Sequence, residues 1–290
     1  MKRAERRDVV AEITSQVVEA LESGSAPWVR PWRSTGSGAM PMPRNGRTDR
    51  EYRGVNVVVL WAVAFGRGYA DPRWVTFNQA RELGGSVRRR ERGTQIVFWK
   101  FVDRKDAETG EARRIPFARA YTVFNVEQCE GLSLDALPAA ERTANPGTVA
   151  DDLAVSAGAR VVRGGDRAFY SPSADTVRVP SVEAFESEST YASTLLHELA
   201  HWTGHESRLG RKFGSRFGDD AYAFEELVAE MSAAFLCARL GVEGRLQHVE
   251  YLGHWARVLR ADKHAVFTAA REAQRVADML QPIDAISEAA

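Results

Sequence analysis

Residues 191–204 read YASTLLHELAHWTG, and within them an HExxH motif runs from His197 to His201. Residues at positions i and i+4 lie on one face of an α-helix, so both imidazoles can reach the same metal ion. Leucines and a tryptophan recur at helical spacing around the motif, and Gly204 is suited to end the helix. The stretch therefore predicts a helix that binds zinc, with Glu198 placed to take a proton from the zinc-bound water.

A zinc site of this kind needs a third protein ligand. Residues 222–240 predict a second helix, on which Glu226 and Glu230 are four residues apart and share a face. Either carboxylate could bind the metal while the other hydrogen-bonds a ligand imidazole. His205, four residues after His201, is a further candidate, although it stands near the end of the predicted helix.

The composition of the 290 residues is that of a globular protein, with 44% hydrophobic and 27% charged residues. Lys and Arg outnumber Asp and Glu by 23 to 16 in residues 1–130, and the acidic residues outnumber the basic ones by 23 to 16 in the remainder. This division of charge predicts two domains, at 1–130 and at 149–290. The small and polar residues at 131–148 predict a linker between them.

The pattern of elements favours the α+β class, with a small α/β domain followed by a mostly helical domain that has a small sheet. Apolar periodicity and β-branched content predict helices at 8–22, 76–83, 149–157, 191–203 and 222–240, a long helical stretch at 246–280, strands at 95–102 and 120–126, and a hairpin at 168–180. The apolar run at 52–65 could be a strand or a buried helix, and its length favours a helix.

Two features near the metal motif have alternative interpretations. The segment 177–180 could be an edge strand that holds an extended substrate, or part of an ordinary hairpin that packs the core. Tyr191 and Tyr222 could stabilise an oxyanion or be structural.

The basic first half combines aromatic residues with arginine, since five of the seven tryptophans fall in the first hundred residues. Proteins that bind single-stranded nucleic acid use this mixture, because aromatic faces stack on bases and cations follow phosphates. We expect Trp28 and Trp32 to face solvent in their proline- and glycine-rich segment, Trp61 to be core, and Trp74 and Trp99 to be either. The candidate DNA-binding residues are Trp28, Arg30, Trp32, Arg53, Trp74, Arg88, Arg89, Arg90 and Lys100.

The basic residues at 88–92 could simply form a solvent-exposed turn. The positive net charge of residues 1–130 favours the alternative, in which they contact phosphates. Helix-turn-helix or zinc-finger spacing is absent from the sequence, so we do not expect sequence-specific reading of a duplex.

Cysteine content and apolar segments predict a cytoplasmic protein with no membrane partner. Cys129 and Cys237 cannot form a disulfide framework and suit a reducing compartment. The N-terminal residues MKRAERRDVVAEI lack the apolar core of a secretory signal, and the longest apolar stretch, 55–65, is too short to span a bilayer.

Nearly the whole chain resembles the ArdC-type antirestriction proteins, in the domain order of that family. The family's N-terminal domain, and the N-terminal part of TraC-type plasmid primases, are similar to the segments LESGSAPWVRPW (21–32), YRGVNVVVL (52–60), DPRWVTFNQARELGG (71–85) and VRRRERGTQIVFWK (87–100). The family's zincin-like metallopeptidase domain is similar to the segments AFYSPSADTVRVP (168–180), YASTLLHELAHWTGHESRL (191–209) and YAFEELVAEMSAAFLCARLG (222–241).

The resemblance implies a first domain that binds single-stranded DNA, with duplex DNA as a further candidate partner. It also implies a protein of conjugative plasmids or related mobile elements that protects incoming DNA from host restriction. The E-x-x-A-E pattern resembles the third-ligand helix of several glutamate-type zincins. That favours Glu226 as the ligand of one Zn²⁺ per chain and Glu230 as the hydrogen-bonding partner, with the reverse assignment left open.

In this interpretation Glu198 is the general base, which later protonates the leaving amine. The protein substrate is not indicated by the sequence. Two alternatives remain: a DNA-binding shield with a catalytically silent, structural zinc site, and a metalloprotease whose basic half recognises protein.

Overall fold

The structure of the chain is a computed structural model that describes residues 8–24, 26–28, 41–105, 112–137, 145–212, 220–244 and 251–282. At 99–105 and 112–118 only the backbone is described. The first half contains α1 (Val9–Glu22), β1 (Arg44–Asn45), α2 (Val55–Arg67), β2 (Arg73–Thr76), α3 (Phe77–Glu82), β3 (Ser86–Val87), β4 (Thr94–Lys105), β5 (Ala112–Asn125) and β6 (Cys129–Glu130).

The second half contains α4 (Pro146–Ser156), β7 (Val161–Arg163), β8 (Phe169–Ser171), β9 (Thr176–Val179), α5 (Glu188–Thr203), α6 (Asp220–Leu240), α7 (Leu252–Ala261) and α8 (Ala265–Leu280). Two 3₁₀ turns, Val126–Gln128 and Val182–Ala184, complete the described elements. The predicted α+β class with two domains is confirmed.

A four-stranded sheet in the order β1-β2-β5-β4 forms the centre of the first half. Strands β4 and β5 form a long antiparallel hairpin that pairs from Thr94 with Val123 to Lys105 with Ala112, so the two predicted strands are confirmed and are longer than expected. The apolar run after Gly54 is a helix, as its length favoured, and Gly68 ends it in the left-handed conformation at φ 72°.

The two halves pack against each other through helices. Helix α1 contacts α7, and α2 contacts α8. Trp61 meets Phe235 edge to face with ring centroids 5.6 Å apart, and the Thr14 hydroxyl donates to the Lys263 carbonyl at 2.6 Å. Buried apolar residues of both halves therefore form one continuous core. The boundaries 1–130 and 149–290 stay a prediction, but helix α4 begins inside the predicted linker, with Pro146 in its first turn.

The second half places a three-stranded sheet beside helix α5, in the order β7-β9-β8. Strand β9 is therefore central, because it pairs in parallel with β7 and antiparallel with β8. Of the two interpretations of 177–180, the edge strand is wrong and the hairpin that packs the core is confirmed, since Val177 and Val179 are fully buried. Strand β7 was not predicted, since Val161–Arg163 is only three residues long.

The long helical stretch expected at 246–280 is two helices over its described part. The break falls at Asp262, whose side chain accepts a hydrogen bond from the backbone N–H of His264 at 2.8 Å. Among the described helices, none is both long enough and apolar enough to cross a membrane.

Candidate metal centre and nucleic-acid surfaces

Helix α5 positions the histidines of the metal motif. The helix begins after Ser187, whose hydroxyl accepts a hydrogen bond from the Thr190 backbone N–H at 3.1 Å, and it ends at Gly204. Its apolar residues are enclosed between the small sheet and helix α6. This packing presents His197, which is 1% exposed, and His201 to helix α6.

Two histidines and one glutamate from these two helices bring their possible metal-binding atoms close together. The Nε2 atoms of His197 and His201 are 3.2 Å apart, and carboxylate oxygens of Glu226 lie 3.3 Å and 3.6 Å from them. Ligands at zinc-bond lengths around a tetrahedral ion are separated by about 3.3 Å. The donor set of two imidazoles and one carboxylate therefore fits a divalent metal in both chemistry and spacing. Within the described residues, this is the one group of three His, Cys, Asp or Glu whose ligand atoms come so close together.

The outer nitrogens of the two histidines face two other glutamates. Glu230 Oε1 lies 3.9 Å from Nδ1 of His197, which is the ring nitrogen that faces away from Glu226. Glu225 Oε1 lies 3.1 Å from Nδ1 of His201. The structure thus brings Glu226 to the Nε2 atoms of both histidines and places Glu230 behind one of them. We did not expect Glu225, although two adjacent glutamates on a ligand helix were visible in the sequence.

Arg211 fixes Glu225 from the loop that follows helix α5. Its guanidinium donates to both carboxylate oxygens of Glu225, at 2.9 and 3.0 Å. It also donates to the carbonyl of Ala200 at 2.6 Å and to the hydroxyl of Thr203 at 2.9 Å. These bonds join the loop, the end of α5 and the start of α6 around the second histidine.

The buried charges of the cluster shift the titration of its histidines. Burial lowers the pKa of His197 below its ordinary value, because desolvation disfavours the imidazolium. Burial also opposes a charge on His201, but the carboxylates of Glu225 and Glu226 outweigh it and hold the pKa of His201 well above its ordinary value. The same histidines outweigh burial at Glu226 and keep the pKa of its carboxyl low. The carboxylates thus favour positive charge at this cluster, and a bound metal ion would displace the proton that His201 holds in its absence.

Glu198 and Tyr222 complete the centre. Glu198 is 7% exposed and follows His197 directly, and its charge acts on both His197 and Tyr222. Burial, with the charge and hydrogen bond of Glu226, raises the pKa of the Tyr222 phenol, so that phenol stays protonated and is a hydrogen-bond donor beside the Glu226 carboxylate.

Two other residues considered from the sequence lie elsewhere. Tyr191 is structural: its hydroxyl donates to Asp151 at 2.6 Å and accepts from Arg163 at 3.2 Å. His205 is not brought to the cluster, because its Nδ1 lies 2.8 Å from the hydroxyl of Ser207 in the turn after α5.

Two of the expected DNA-contacting tryptophans are core residues. Trp28 and Trp74 are each 1% exposed, so the expectation of a solvent-facing Trp28 is wrong and neither ring can stack on a base. Trp28 packs on Trp255 of helix α7 with ring centroids 5.9 Å apart, and Trp74 packs on Tyr69 at 6.0 Å. The expected phosphate contacts of the arginines do not depend on these two rings.

The other candidate DNA-binding residues differ in where the structure places them. The side chains of Arg88, Arg89 and Arg90 are exposed on a turn between β3 and β4, where Arg90 has φ 71° and Arg88 pairs with Glu91 at 3.1 Å. Arg53 is half exposed and pairs with Asp278. Three candidates lie outside the described residues or side chains, namely Arg30, Trp32 and Lys100.

An aromatic and basic patch on the β4–β5 hairpin was missed. Phe98 is 45% exposed and meets Tyr121 edge to face with centroids 5.4 Å apart. The Arg119 guanidinium lies 5.0 Å from the centre of the Tyr121 ring. Phe98 pairs directly with Arg119 in the sheet, so the three residues share one face. Side chains of a strand point alternately to its two faces, so the sequence QIVFWKFV could have indicated which of its aromatic residues share a face. It was interpreted only as a strand.

Comparison with known proteins agrees with this arrangement in both halves. Residues 7–124 match the family described as the N-terminal domain of anti-restriction factor ArdC, and residues 148–272 match the family of zincin-like metallopeptidases. An uncharacterised protein of Sinorhizobium fredii (strain NBRC 101917 / NGR234), y4eC, is 41% identical over 94% of this chain and 91% of its own length.

Two DNA primases named TraC from Escherichia coli are also similar. They are 38% and 36% identical, each over 93% of this chain, and this chain spans 26% and 19% of their lengths. The match extends beyond the N-terminal segments that first suggested it, so both halves have counterparts in a longer protein.

Two crystal structures of the antirestriction protein ArdC from plasmid R388 have the same fold. The metal-free structure superposes with a TM-score of 0.81 at 39% identity, and covers 95% of this chain and 97% of that one. The Mn(II)-bound structure gives a TM-score of 0.78 at 35% identity with the same coverage. Both halves, their order and their fold therefore agree, and the chain belongs to the ArdC family of antirestriction proteins, with a zincin-like metallopeptidase domain as its second half.

Proposed function

We propose that this chain protects incoming plasmid or mobile-element DNA by binding single strands without strong sequence preference and by cutting protein with a zinc-dependent peptidase site. The observation that carries the peptidase is the convergence of His197, His201 and Glu226 at tetrahedral spacing, with the buried Glu198 next to the first ligand. Three protein donors leave one position open, as in catalytic rather than structural zinc sites.

The chain's own residues supply the proton transfers. Zinc, when bound, polarises a peptide carbonyl and acidifies a water molecule. Glu198 accepts the proton of the attacking water and returns it to the leaving amine, which is the role of a general base that becomes a general acid. Tyr222, whose raised pKa keeps its phenol protonated at neutral pH, can donate a hydrogen bond to the carbonyl oxygen as negative charge develops there.

Zinc is the metal that this donor set favours. Divalent ions follow an affinity order in which zinc exceeds manganese at nitrogen and oxygen sites, and two imidazoles suit zinc well. The manganese of the related R388 structure shows that such a relative accepts a divalent ion, and it supports a metal here.

Single-strand binding rests on exposed residues of the first half. The turn at 88–90 offers three cations for phosphates, and the hairpin patch of Phe98, Tyr121 and Arg119 offers rings for bases. Linking this surface to the peptidase in one chain raises the effective concentration of the peptidase near proteins on DNA. Such a role places the chain in the cytoplasm.

The deciding experiment compares wild type with Glu198→Gln. Glu188→Gln, which changes an exposed glutamate in the first turn of the same helix, is the matched control. Metal content and cleavage of the chain itself or of a DNA-bound protein are measured with and without single-stranded DNA. We expect about one zinc per chain in all three proteins, as an open three-ligand site requires, and cleavage by wild type and Glu188→Gln alone.

The opposite result is equally informative. If all three proteins bind zinc, none cuts protein, and Glu198→Gln still protects DNA in a conjugal transfer assay, the peptidase proposal fails. The chain is then a DNA-binding shield with a structural metal. If cleavage needs no DNA and wild type has no salt-dependent affinity for single strands, the first half recognises protein instead.

A further inference from the structure

A cavity of about 630 Å³ lies between the two halves of the chain, at the start of helix α2 and along helix α8. It is separate from the metal centre, since none of the metal-centre residues lines it. Its volume is within the range of sites that bind small molecules, which is about 300–1,000 Å³.

Three arginines make the rim of this cavity basic. Arg53 comes from the first half, whereas Arg271 and Arg275 come from helix α8. Their side chains are 54%, 68% and 50% exposed, so the mouth of the cavity opens to solvent.

The rim carries a surplus of positive charge. Arg271 and Arg275 share one carboxylate, with Glu272 Oε1 and Oε2 at 3.1 and 2.7 Å. Arg53 pairs with Asp278, which also accepts from Arg239 at 3.3 Å. Each guanidinium has five N–H donors, and these ion pairs occupy only part of them. The rim can therefore bind an anion and still keep its carboxylate partners.

The wall below the rim is apolar. Val55, Val97 and Phe267 line the cavity and are each less than 10% exposed. Asn56 also lines it, but its amide group is already used, because it exchanges two hydrogen bonds of 2.9 Å with the backbone of Val97. A ligand therefore meets an aromatic ring and two valines inside the cavity, and guanidinium groups at its mouth.

Such a site suits a molecule that joins a flat ring to a phosphate. We propose that the cavity binds one nucleotide of a DNA single strand, with the base against Phe267 and the flanking phosphates on Arg53, Arg271 and Arg275. The open mouth lets the strand continue on both sides, which a closed nucleotide pocket would prevent. This proposal rests on the proposed single-strand binding and gives it a second binding surface, which both halves of the chain line. Bound DNA then touches α8, which packs against the helix that carries Glu226.

The test uses the full chain and a fluorescently labelled oligothymidylate in anisotropy titrations over a series of salt concentrations. Arg271→Gln/Arg275→Gln removes two cations while the amides can still hydrogen-bond Glu272. Thr268→Trp, at a position that lines the cavity, fills it without changing charge, and Thr268→Ser leaves it open. The matched control for the double variant is Arg257→Gln/Arg260→Gln, two exposed and ion-paired arginines on helix α7.

We expect the double arginine variant to bind the oligonucleotide more weakly and to reduce the salt slope by about 0.7 for each phosphate that no longer meets a cation. Thr268→Trp should weaken binding about tenfold, as expected when one base can no longer stack, with its salt slope little changed. Thr268→Ser and the α7 control should bind like wild type. In addition, an oligonucleotide that contains 5-iododeoxyuridine should cross-link to the peptide that contains Phe267.

Three results would overturn the proposal, and they are distinct from one another. Oligonucleotide binding that is equal to wild type in Arg271→Gln/Arg275→Gln and in Thr268→Trp removes the cavity from the DNA path and leaves single-strand binding intact. Binding of thymidine monophosphate that Thr268→Trp abolishes, while strand binding is unchanged, assigns the cavity to a free nucleotide. If wild type binds no oligonucleotide at all, the proposed single-strand binding fails and this proposal fails with it.

Discussion

Glu225 Oε1 lies 3.1 Å from Nδ1 of His201, while the adjacent Glu226 lies 3.6 Å from Nε2 of the same ring. Two consecutive glutamates therefore contact the two nitrogens of one imidazole. A proton held on Nδ1 by Glu225 leaves the lone pair of Nε2 directed toward the metal position. Helix α6 thus both offers a ligand and orients another.

The first prediction concerns this orientation. Glu225→Gln should weaken metal binding about 10- to 100-fold, because a neutral amide holds the Nδ1 proton less strongly and makes the imidazole a poorer ligand. Competition with a coloured chelator measures the affinity. Glu183→Gln, an exposed change before helix α5, should leave it unchanged. If Glu225→Gln bound the metal as tightly as wild type, Glu225 would not orient His201 for metal binding and would only stabilise the fold.

The second prediction concerns Arg211. Its side chain and that of Glu225 are 7% and 5% exposed, so Arg211→Met leaves a carboxylate buried beside a histidine without its guanidinium. Removing one partner of a buried pair costs about 3–5 kcal/mol of unfolding free energy. The double variant Arg211→Met/Glu225→Gln should recover much of that stability, because it leaves no uncompensated buried charge. Urea unfolding of the metal-free proteins measures both, and a double variant as unstable as Arg211→Met would contradict the explanation.

Local spacing was enough to predict the two histidines and to limit the third candidate ligand to Glu226 or Glu230, and the resemblance of the E-x-x-A-E pattern then favoured Glu226. His197 and His201 are related by one helical turn, and Glu226 and Glu230 by another, so a period of 3.6 residues places each pair on one face. The packing of the two helices then follows from their apolar residues. Arg211 could not be found in this way, because its part depends on how the loop after Gly204 folds back over the helix.

Three of the differences concern contacts between segments that are separated in the sequence. Trp28 stands in a segment typical of a solvent-exposed loop, but Trp255, more than two hundred residues later, covers it. Strand β9 was expected as a possible edge because Val161–Arg163 is too short to predict as its neighbour. Phe98 and Tyr121 were assigned only to strands, since the register that sets them side by side is a property of the hairpin.

The third prediction separates core from surface aromatic residues. Trp28→Ala should lower the unfolding free energy by about 3–5 kcal/mol, because it leaves a cavity against Trp255. The folded fraction of that variant should bind single-stranded DNA like wild type. Phe98→Ala should show the reverse, with stability changed by less than about 1 kcal/mol and single-strand affinity reduced because a stacking surface is removed. Thermal unfolding measures the stability, and anisotropy titrations measure the DNA affinity. A weaker DNA affinity in folded Trp28→Ala would indicate that the Trp28 ring contacts DNA.

The last prediction concerns pH and the turn between β8 and β9. Arg208 donates to both carboxylate oxygens of Asp175, at 2.5 and 3.0 Å, and the Tyr170 hydroxyl donates to it at 2.9 Å. These bonds lower the pKa of Asp175 from its ordinary value near 3.8 to about 2.

A carboxyl whose pKa is lower in the folded state adds stability above its unfolded pKa and loses it as pH falls through the folded value. Asp175→Asn should therefore be less stable than wild type at neutral pH, with the difference shrinking between about pH 4 and pH 2. The effect should be modest, because the Asp175 side chain is 41% exposed and solvent screens the pair. Asn is well suited to the φ of 43° found here, so the change tests the charge rather than the backbone. Denaturant unfolding across that pH range measures the difference in unfolding free energy, and Asp166→Asn, a change at an exposed position, is the control. A difference between wild type and Asp175→Asn that stays constant down to pH 2 would show that the Asp175 charge contributes no stability.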